Sequence, residues 1–406
     1  MARPLGLCAS VVAASGGRDR TTVVGDGDQP AKCEYVLQTE RTCDGSRLAV
    51  PLSNLEIEVY RRDSLAFEAV LRGHSGPVTR VVTSSGSADI IFSCSQDGSG
   101  RAWDLRGPRE ALRFGKPGEE LWSMDVGYDD TLCAVGRGSS ADFFDLRKAG
   151  QLLGSYEGCH TDDVTQVLFH PASPTRMATA SEDGLICLYD TAKAASSHAP
   201  SSSSAGAAGE DEALLCVMNA ECAVRSIGFF GPRGDGLFCC TGTETLSLWH
   251  APAAQRVASF GDVRAAAAAA AGPLPLDYMV GCHYEEEGQR LTLVGGSYGG
   301  GVSLVSVSPG VGLTLEGVLA GGHTELVRGF DWLGDSLVTG AEDGRLCLWK
   351  PPLGGGGGGP PHGAWVGGGA APDVNGVPLG QPHRRGGGGG GGGTGENRKW
   401  HAFRPY

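Results

Sequence analysis

Histidine, serine or threonine, and aspartate recur at fixed spacing in three segments of the chain, and these residue types together can support nucleophilic hydrolysis. In each segment the hydroxyl residue lies four positions before the aspartate, and an aromatic residue lies six positions after it. The members are His74, Ser93, Asp97 and Trp103; His160, Thr179, Asp183 and Tyr189; and His323, Thr339, Asp343 and Trp349. Because active sites do not usually occur in threes, the repetition favours a structural hydrogen-bonded network over a catalytic triad.

Two further motifs lack the context that their chemistry needs. Residues 295–299 match G-x-S-x-G, but a nucleophile elbow needs a helix next, and the following residues alternate as in a strand. Cys282 and His283 with Glu285–Glu287 are too closely spaced for a closed tetrahedral metal site, and no second ligand pair follows. We therefore predict no catalytic residue, no metal and no cofactor.

The elements that must position the three sets are short strands joined by tight turns. Two apolar, β-rich runs separate each histidine from its aspartate, as in Val78–Val82 and Ile90–Cys94, and a third run follows the Asp-Gly pair. Glycine at that turn tolerates a positive φ. With the strand that precedes each histidine, these runs predict a four-stranded antiparallel blade.

Spacing predicts the number of blades. His74 and His160 are separated by two units of 40–45 residues, and three longer units lead to His323. Insertions near residues 193–212 and 252–275 explain the extra length. Weaker repeats fill residues 32–62, 111–148, 213–251 and 276–308. The result is an all-β, seven-bladed propeller, with a strand from within residues 5–15 expected to close the ring.

Three regions follow along the chain. Residues 1–31 are an N-terminal segment that includes the closing strand, although residues 1–18 also fit a short targeting peptide. Residues 32–351 form the propeller. Residues 352–406 are rich in glycine and proline and cannot bury enough apolar surface to fold, so we predict a disordered tail. Its basic, aromatic end, residues 398–406, is a candidate RNA-binding or partner-binding segment.

Charge and cysteine content narrow the partners and the compartment. The formal net charge is −13, and the tail is basic, so the propeller itself is acidic and nucleic acid is a poor main ligand for it. The 13 cysteines include no C-x-x-C pair, which favours a reducing compartment, cytoplasm or nucleus. No apolar run reaches about 18 residues, so we predict no membrane span.

The recurring sets resemble those of the WD-repeat superfamily of β-propellers. Within it, residues 160–171, 276–278 and 321–351 are similar to the WD-repeat 89 family. The resemblance implies an intracellular, non-catalytic propeller, and some plant relatives imply a link to growth and ribosome assembly.

Four residues are candidate partner contacts. Trp103-Asp104-Leu105-Arg106 and residues 144–147 resemble the W-D-x-R box of substrate receptors of cullin-4 ubiquitin ligases, in which the arginine contacts the adaptor subunit. Arg106 and Arg147 would then carry that contact, unless arginine is simply common at a solvated strand end. Asp162 and Asp163 follow the His160 position; they either cap a turn or belong to a partner surface.

Three functional hypotheses follow. The main one is a monomeric, non-catalytic scaffold that binds other proteins. The first alternative is a substrate receptor of a cullin-4 ubiquitin ligase. The second is a ribosome-assembly or growth-related factor whose basic tail touches RNA or ribosomal assembly proteins.

Overall fold

Short strands joined by tight turns dominate the chain, and the computed structural model describes residues 5–13, 34–158, 160–196, 212–266 and 275–351. The strands form seven four-stranded antiparallel sheets, which confirms the seven-bladed propeller. In each blade we label the strands a to d from the axis outward. First strands of neighbouring blades contact one another around the ring, so strand a is innermost.

The first three blades have these bounds. Blade 1 contains β2 (Glu40–Arg41), β3 (Arg47–Pro51), β4 (Ile57–Arg61) and β5 (Phe67–Leu71). Blade 2 contains β6 (Val78–Thr83), β7 (Ile90–Ser95), β8 (Ser99–Asp104) and β9 (Arg109–Gly115). Blade 3 contains β10 (Ser123–Gly127), β11 (Leu132–Arg137), β12 (Ser140–Asp145) and β13 (Gln151–Tyr156), with a 3-10 turn at Leu146–Lys148.

The other four blades follow the same plan. Blade 4 contains β14 (Val164–Phe169), β15 (Arg176–Ser181), β16 (Leu185–Asp190) and β17 (Leu214–Asn219), with a helix at Thr191–Ser196. Blade 5 contains β18 (Val224–Phe230), β19 (Gly236–Thr241), β20 (Thr245–His250) and β21 (Gln255–Asp262), with a 3-10 turn at Ala251–Ala253 and a helix at Val263–Ala266. Blade 6 contains β22 (Tyr278–Glu285), β23 (Arg290–Gly296), β24 (Val302–Ser308) and β25 (Gly312–Leu319). Blade 7 contains β26 (Val327–Leu333), β27 (Ser336–Ala341), β28 (Arg345–Lys350) and β1 (Gly6–Val12).

An N-terminal strand closes the ring. β1 pairs antiparallel with β28, from Gly6 opposite Lys350 to Val12 opposite Arg345. The two ends of the propeller therefore share one sheet, so no blade lacks its outer strand.

The grouping of strands differs from the sequence-based expectation in one respect. The strand before each histidine is the outer strand of the preceding blade: β5 pairs with β4, and β25 pairs with β24. In blades 1, 3 and 6 a short c–d turn connects strand c to the outer strand, which pairs antiparallel with strand c, and the loop with the histidine then crosses to the next blade. One sequence repeat thus spans two blades.

The predicted insertions and the tail are only partly within the described residues. Residues 255–262, inside the segment expected to be an insertion, form the outer strand of blade 5. Residues 197–211 and 267–274, residues 1–4 and 14–33, residue 159 and the Gly-rich tail from 352 to 406 lie outside the described ranges.

Apolar side chains between neighbouring blades form the core. Between blades 2 and 3, for example, Phe92, Met124 and Phe144 lie in one buried cluster. Sheet faces that pack on both sides explain why strands b and c are almost wholly buried. Within the described ranges, no helix is long and apolar enough to cross a membrane.

Side chains from one blade satisfy backbone groups on the free inner edge of the next. The Gln38 amide donates to the Val81 carbonyl (2.8 Å) and accepts from the Val81 N–H (3.0 Å). Gln166 makes the same pair of bonds to Ile227. The backbone N–H and C=O groups on the edge of an inner strand need hydrogen-bond partners. These side-chain amides supply the bonds that a neighbouring strand would otherwise make.

Candidate interaction sites

The four residues of the first recurring set meet in blade 2. His74 lies in the loop between strand d of blade 1 and strand a of blade 2, and its Nδ1 is 3.0 Å from Asp97 Oδ2 in the b–c turn. Its Nε2 is 2.7 Å from Ser93 Oγ, which also accepts from the Trp103 indole at 2.8 Å. The four side chains therefore tie the incoming d–a loop to strands b and c.

Blades 4 and 7 repeat the arrangement. His160 contacts Asp183 (3.1 Å) and Thr179 (2.7 Å), and His323 contacts Asp343 (3.3 Å) and Thr339 (2.7 Å). The Trp349 indole donates to Thr339 Oγ1 at 2.8 Å. Tyr189 takes the place of tryptophan in blade 4 and stacks on Tyr156, with ring centroids 4.8 Å apart.

Burial makes these sets unsuitable as catalytic triads. His74, His160 and His323 are each less than a tenth exposed, and the hydroxyl residues are fully buried. Burial lowers the pKa of His74. Burial opposes ionisation of Asp97, but hydrogen bonds from Ser99, Ser75 and His74 outweigh it and hold the pKa of Asp97 well below its usual range. Each hydroxyl is already used inside the protein, so it is not presented to a substrate.

The G-x-S-x-G segment is likewise a turn. Ser297 Oγ accepts from the Gly301 N–H at 2.9 Å, and β24, a strand, follows. Among the described residues, no group of three or more His, Cys, Asp or Glu is placed to hold a metal ion, and this covers Cys282 and His283.

Arg106 and Arg147 occupy equivalent places on one side of the ring. We call this side the a–b face, because it carries the a–b and c–d connections; the opposite side, with the d–a loops and b–c turns, is the d–a face. Arg106 donates twice to Asp104 (both 2.9 Å), and Arg147 donates twice to Asp145 (3.1 and 3.2 Å). Each arginine side chain is 69% exposed. Two oriented guanidinium groups therefore face solvent on consecutive blades.

Asp162 and Asp163 lie on the d–a face, where their backbone joins the d–a loop to the b–c turn of blade 4. Ser181 Oγ donates to the Asp162 carbonyl (3.0 Å), and the Glu182 N–H donates to the Asp163 carbonyl (3.0 Å). Asp162 Oδ1 accepts from the Asp163 N–H at 2.9 Å. Two of these contacts involve only the backbone of Asp162 and Asp163, so the turn-capping role and the partner-surface role of the two side chains both remain predictions.

A cavity near the axis was not anticipated from the sequence. It lies among the inner strands of blades 1, 6 and 7 and is walled by Glu40, Arg41, His283, Asp331 and Trp332. Three distant segments supply these residues, so no local motif could have revealed it. His283 alone stood out in the sequence, and only as a metal ligand candidate.

Known proteins share the repeat and most of the chain. The model of the WD domain, G-beta repeat, matches residues 66–104 and 150–190, each running from an outer strand through strand c of the next blade. Over 339 residues the chain is 32% identical to WD repeat-containing protein GTS1 of Arabidopsis thaliana, covering 78% of this chain and 81% of that protein. The chain belongs to the WD-repeat family of β-propellers.

Two further relatives show how far the likeness of this WD-repeat protein extends. It is 27% identical over 319 residues to the WD repeat-containing protein 89 homolog of Dictyostelium discoideum, covering 78% of this chain and 82% of that protein. It is also 29% identical over 127 residues to GATOR2 complex protein Wdr59 of Drosophila melanogaster, but this covers 30% of this chain and 13% of that protein. The first likeness covers most of both chains, whereas the second covers less than a third of either.

Proposed function

We propose that this WD-repeat protein is a non-catalytic scaffold that binds other proteins. The observation that carries the proposal is the pair of exposed, oriented arginines, Arg106 and Arg147, on consecutive blades of one rigid ring. A closed ring holds its loops in place, so a partner pays little ordering entropy on binding. The buried, repeated His-Ser/Thr-Asp sets support the absence of catalysis.

One specific form of this proposal is a substrate receptor of a cullin-4 ubiquitin ligase. Each arginine donates hydrogen bonds from its Nε and one terminal nitrogen to the aspartate two residues before it. The exposed guanidinium can also bind an acidic face of an adaptor. The aspartates themselves are nearly buried, so the cationic groups dominate the surface. Lysine at these positions would not reproduce the planar geometry.

Affinity purification of the full chain with mass spectrometry tests this form. We compare the intact protein with Arg106→Ala/Arg147→Ala and with a control, Arg61→Ala/Arg233→Ala. The control arginines lie on the same a–b face, are exposed, and each pairs with a nearby aspartate, Asp63 or Asp235. We expect the cullin-4 adaptor with the intact protein and the control, and its loss from the test variant.

Absence of the adaptor from the intact sample, or its equal recovery with both double variants, would contradict the receptor proposal. Other proteins recovered stoichiometrically would still support a scaffold. A purification with no protein partner would contradict the scaffold as well.

The alternative role in ribosome assembly depends on the basic tail, which lies outside the described residues. Its test is a truncation after Pro351 in the same experiment. Recovery of pre-ribosomal proteins by the intact chain and their loss on truncation would favour this role, with a steep salt dependence if RNA is the contact.

A further inference from the structure

The cavity on the a–b face side of the axis combines an aromatic wall with carboxyl groups. Its volume is about 190 Å³, and it is open to solvent. The His283 imidazole and the Trp332 indole are nearly parallel, with centroids 5.4 Å apart and an interplanar angle of 6°. Glu40 comes from the inner strand of blade 1, and Asp331 comes from that of blade 7.

The two carboxyl groups differ in how they are neutralised. Asp331 bonds to Arg41 through one oxygen (2.7 Å) and to the buried Arg62 through the other. Glu40 receives a side-chain hydrogen bond from the Gln38 amide (3.0 Å), and no described cation is bonded to it. Glu40 is therefore the carboxyl group available to a ligand.

Two other groups in the wall support a ligand. Thr39 is 5% exposed, and its hydroxyl has no hydrogen-bond partner among the described residues. Burial lowers the pKa of His283, so its ring is uncharged at neutral pH and does not repel a cation. Burial raises the pKa of Glu40 to about 7, and the charge of Arg80 opposes this shift only in part.

We propose that this cavity binds a cationic side chain of a partner protein, arginine in preference to lysine. Glu40 would accept from the cation, and a planar guanidinium would continue the stack of His283 and Trp332, which an ammonium group cannot do. An anion would face two carboxyl groups. Of the described guanidinium groups near Glu40, that of Arg41 is already bonded to Asp331, and that of Arg80 acts on Glu40 without lining the cavity. The proposal is independent of the two arginines on the rim, Arg106 and Arg147.

The proposal is tested by measuring the binding of blocked tripeptides to the full chain with saturation-transfer NMR. The probes are glycyl-arginyl-glycine, glycyl-lysyl-glycine and glycyl-citrullyl-glycine, each blocked at both ends. Citrulline keeps the shape of arginine without its charge. The variants are Glu40→Gln, Trp332→Leu and, as a control, Glu287→Gln, an exposed carboxylate in the a–b loop of blade 6.

We expect the arginine probe to bind best, the lysine probe to bind more weakly and the citrulline probe to give no transfer. Glu40→Gln should weaken binding of the arginine probe roughly tenfold, the size of one lost charge-assisted hydrogen bond. Glu287→Gln should leave binding unchanged. Trp332→Leu should abolish the preference for arginine over lysine while unfolding remains cooperative.

The pH dependence provides a further readout. Around Glu40 lie Arg80 on β6, Asp125 on β10, His283 on β22, Asp331 on β26 and the neighbouring Arg41. Binding of the arginine probe should strengthen as pH rises from about 6 to about 8, because Glu40 ionises in that range. Equal binding of citrulline, better binding of lysine, or no effect of Glu40→Gln would overturn the proposal.

Discussion

Blades 2, 4 and 7 join the incoming d–a loop to the b–c turn through histidine and aspartate, whereas blades 5 and 6 make comparable joins with other groups. In blade 2 the Ser75 N–H in the loop donates to Asp97 in the turn. In blade 6 the polarity is reversed, because the Tyr298 N–H in the turn donates to Asp277 in the loop (2.8 Å). In blade 5 the Gly242 N–H in the turn donates to the Ala223 carbonyl in the loop (2.9 Å), and Glu244 in the same turn accepts from the Met279 N–H on strand a of blade 6 (2.6 Å).

The difference between these blades shows which part of the repeat the fold requires. Loop and turn backbone must be satisfied where they meet, and a carboxylate on either partner can do this. The full His-Ser/Thr-Asp-aromatic set adds buried hydrogen bonds to strands b and c. Its removal should therefore lower the free energy of unfolding more than removal of one surface hydrogen bond between loop and turn.

The largest expected effect is removal of the aspartate from a complete set. Asp97→Ala leaves His74, the Ser75 N–H and the Ser99 N–H without their buried acceptor. We expect a loss of about 3–5 kcal/mol in the free energy of unfolding, because three donors lose a charged acceptor at about 1–3 kcal/mol each. Asp277→Ala in blade 6, which removes one exposed hydrogen bond, should cost about 1 kcal/mol or less. Chemical denaturation measures both, and equal losses would show that the complete set gives no added stability.

A smaller effect is expected at the b–c turns. Gly98 has φ +80°, and an added Cβ would collide with the Lys116 carbonyl oxygen, so Gly98→Ala should cost about 1–3 kcal/mol. In blade 1 the turn has Leu55 at φ 73°. Because this leucine is already strained, Leu55→Gly should change stability by less than about 1 kcal/mol. Comparable destabilisation by both substitutions, in thermal unfolding, would contradict this distinction.

A pH-dependent difference is expected between two complete sets. Burial alone would lower the pKa of His323, but its contacts with Asp343 and Cys347 outweigh burial and raise it to about 9. A raised histidine pKa stabilises the fold fully below about pH 6.5, and this contribution is lost as pH rises through about 9. The destabilisation caused by Asp343→Asn should therefore shrink over that range.

Asp97→Asn provides the control for this pH series. The pKa of His74 is lowered by burial, so His74 is neutral across the same range and the destabilisation should stay constant. Denaturation at several pH values from about 6 to about 9 measures both variants. Parallel curves for the two substitutions would mean that His323 does not carry the extra proton.

The smallest effect on stability is expected for the exposed arginines. Arg106→Ala/Arg147→Ala should leave the midpoint of thermal unfolding unchanged, since exposed ion pairs contribute little. A clear drop in that midpoint would assign the two arginines a structural role. The variant could then no longer test partner binding, because a lost partner could result from lost stability.

The sequence by itself determined the repeat, the seven blades and the members of the three complete sets. Strand alternation, Asp-Gly turns and the fixed offsets between histidine, hydroxyl and aspartate are local properties, so they are readable along one segment. The pair Arg106 and Arg147 was also readable, because each belongs to a motif within one hairpin.

Tertiary structure alone decided how the repeats divide into blades. The strand before each histidine belongs to the same sequence repeat as the histidine, but it pairs with strand c of the preceding blade. Tertiary structure also decided which hydrogen bonds connect the d–a loop to the b–c turn in blades 5 and 6, because their donors and acceptors lie on different segments. The cavity with Glu40, His283 and Trp332 arises in the same way. Ring closure brings together inner strands that are far apart in the chain, and no sequence spacing encodes that meeting.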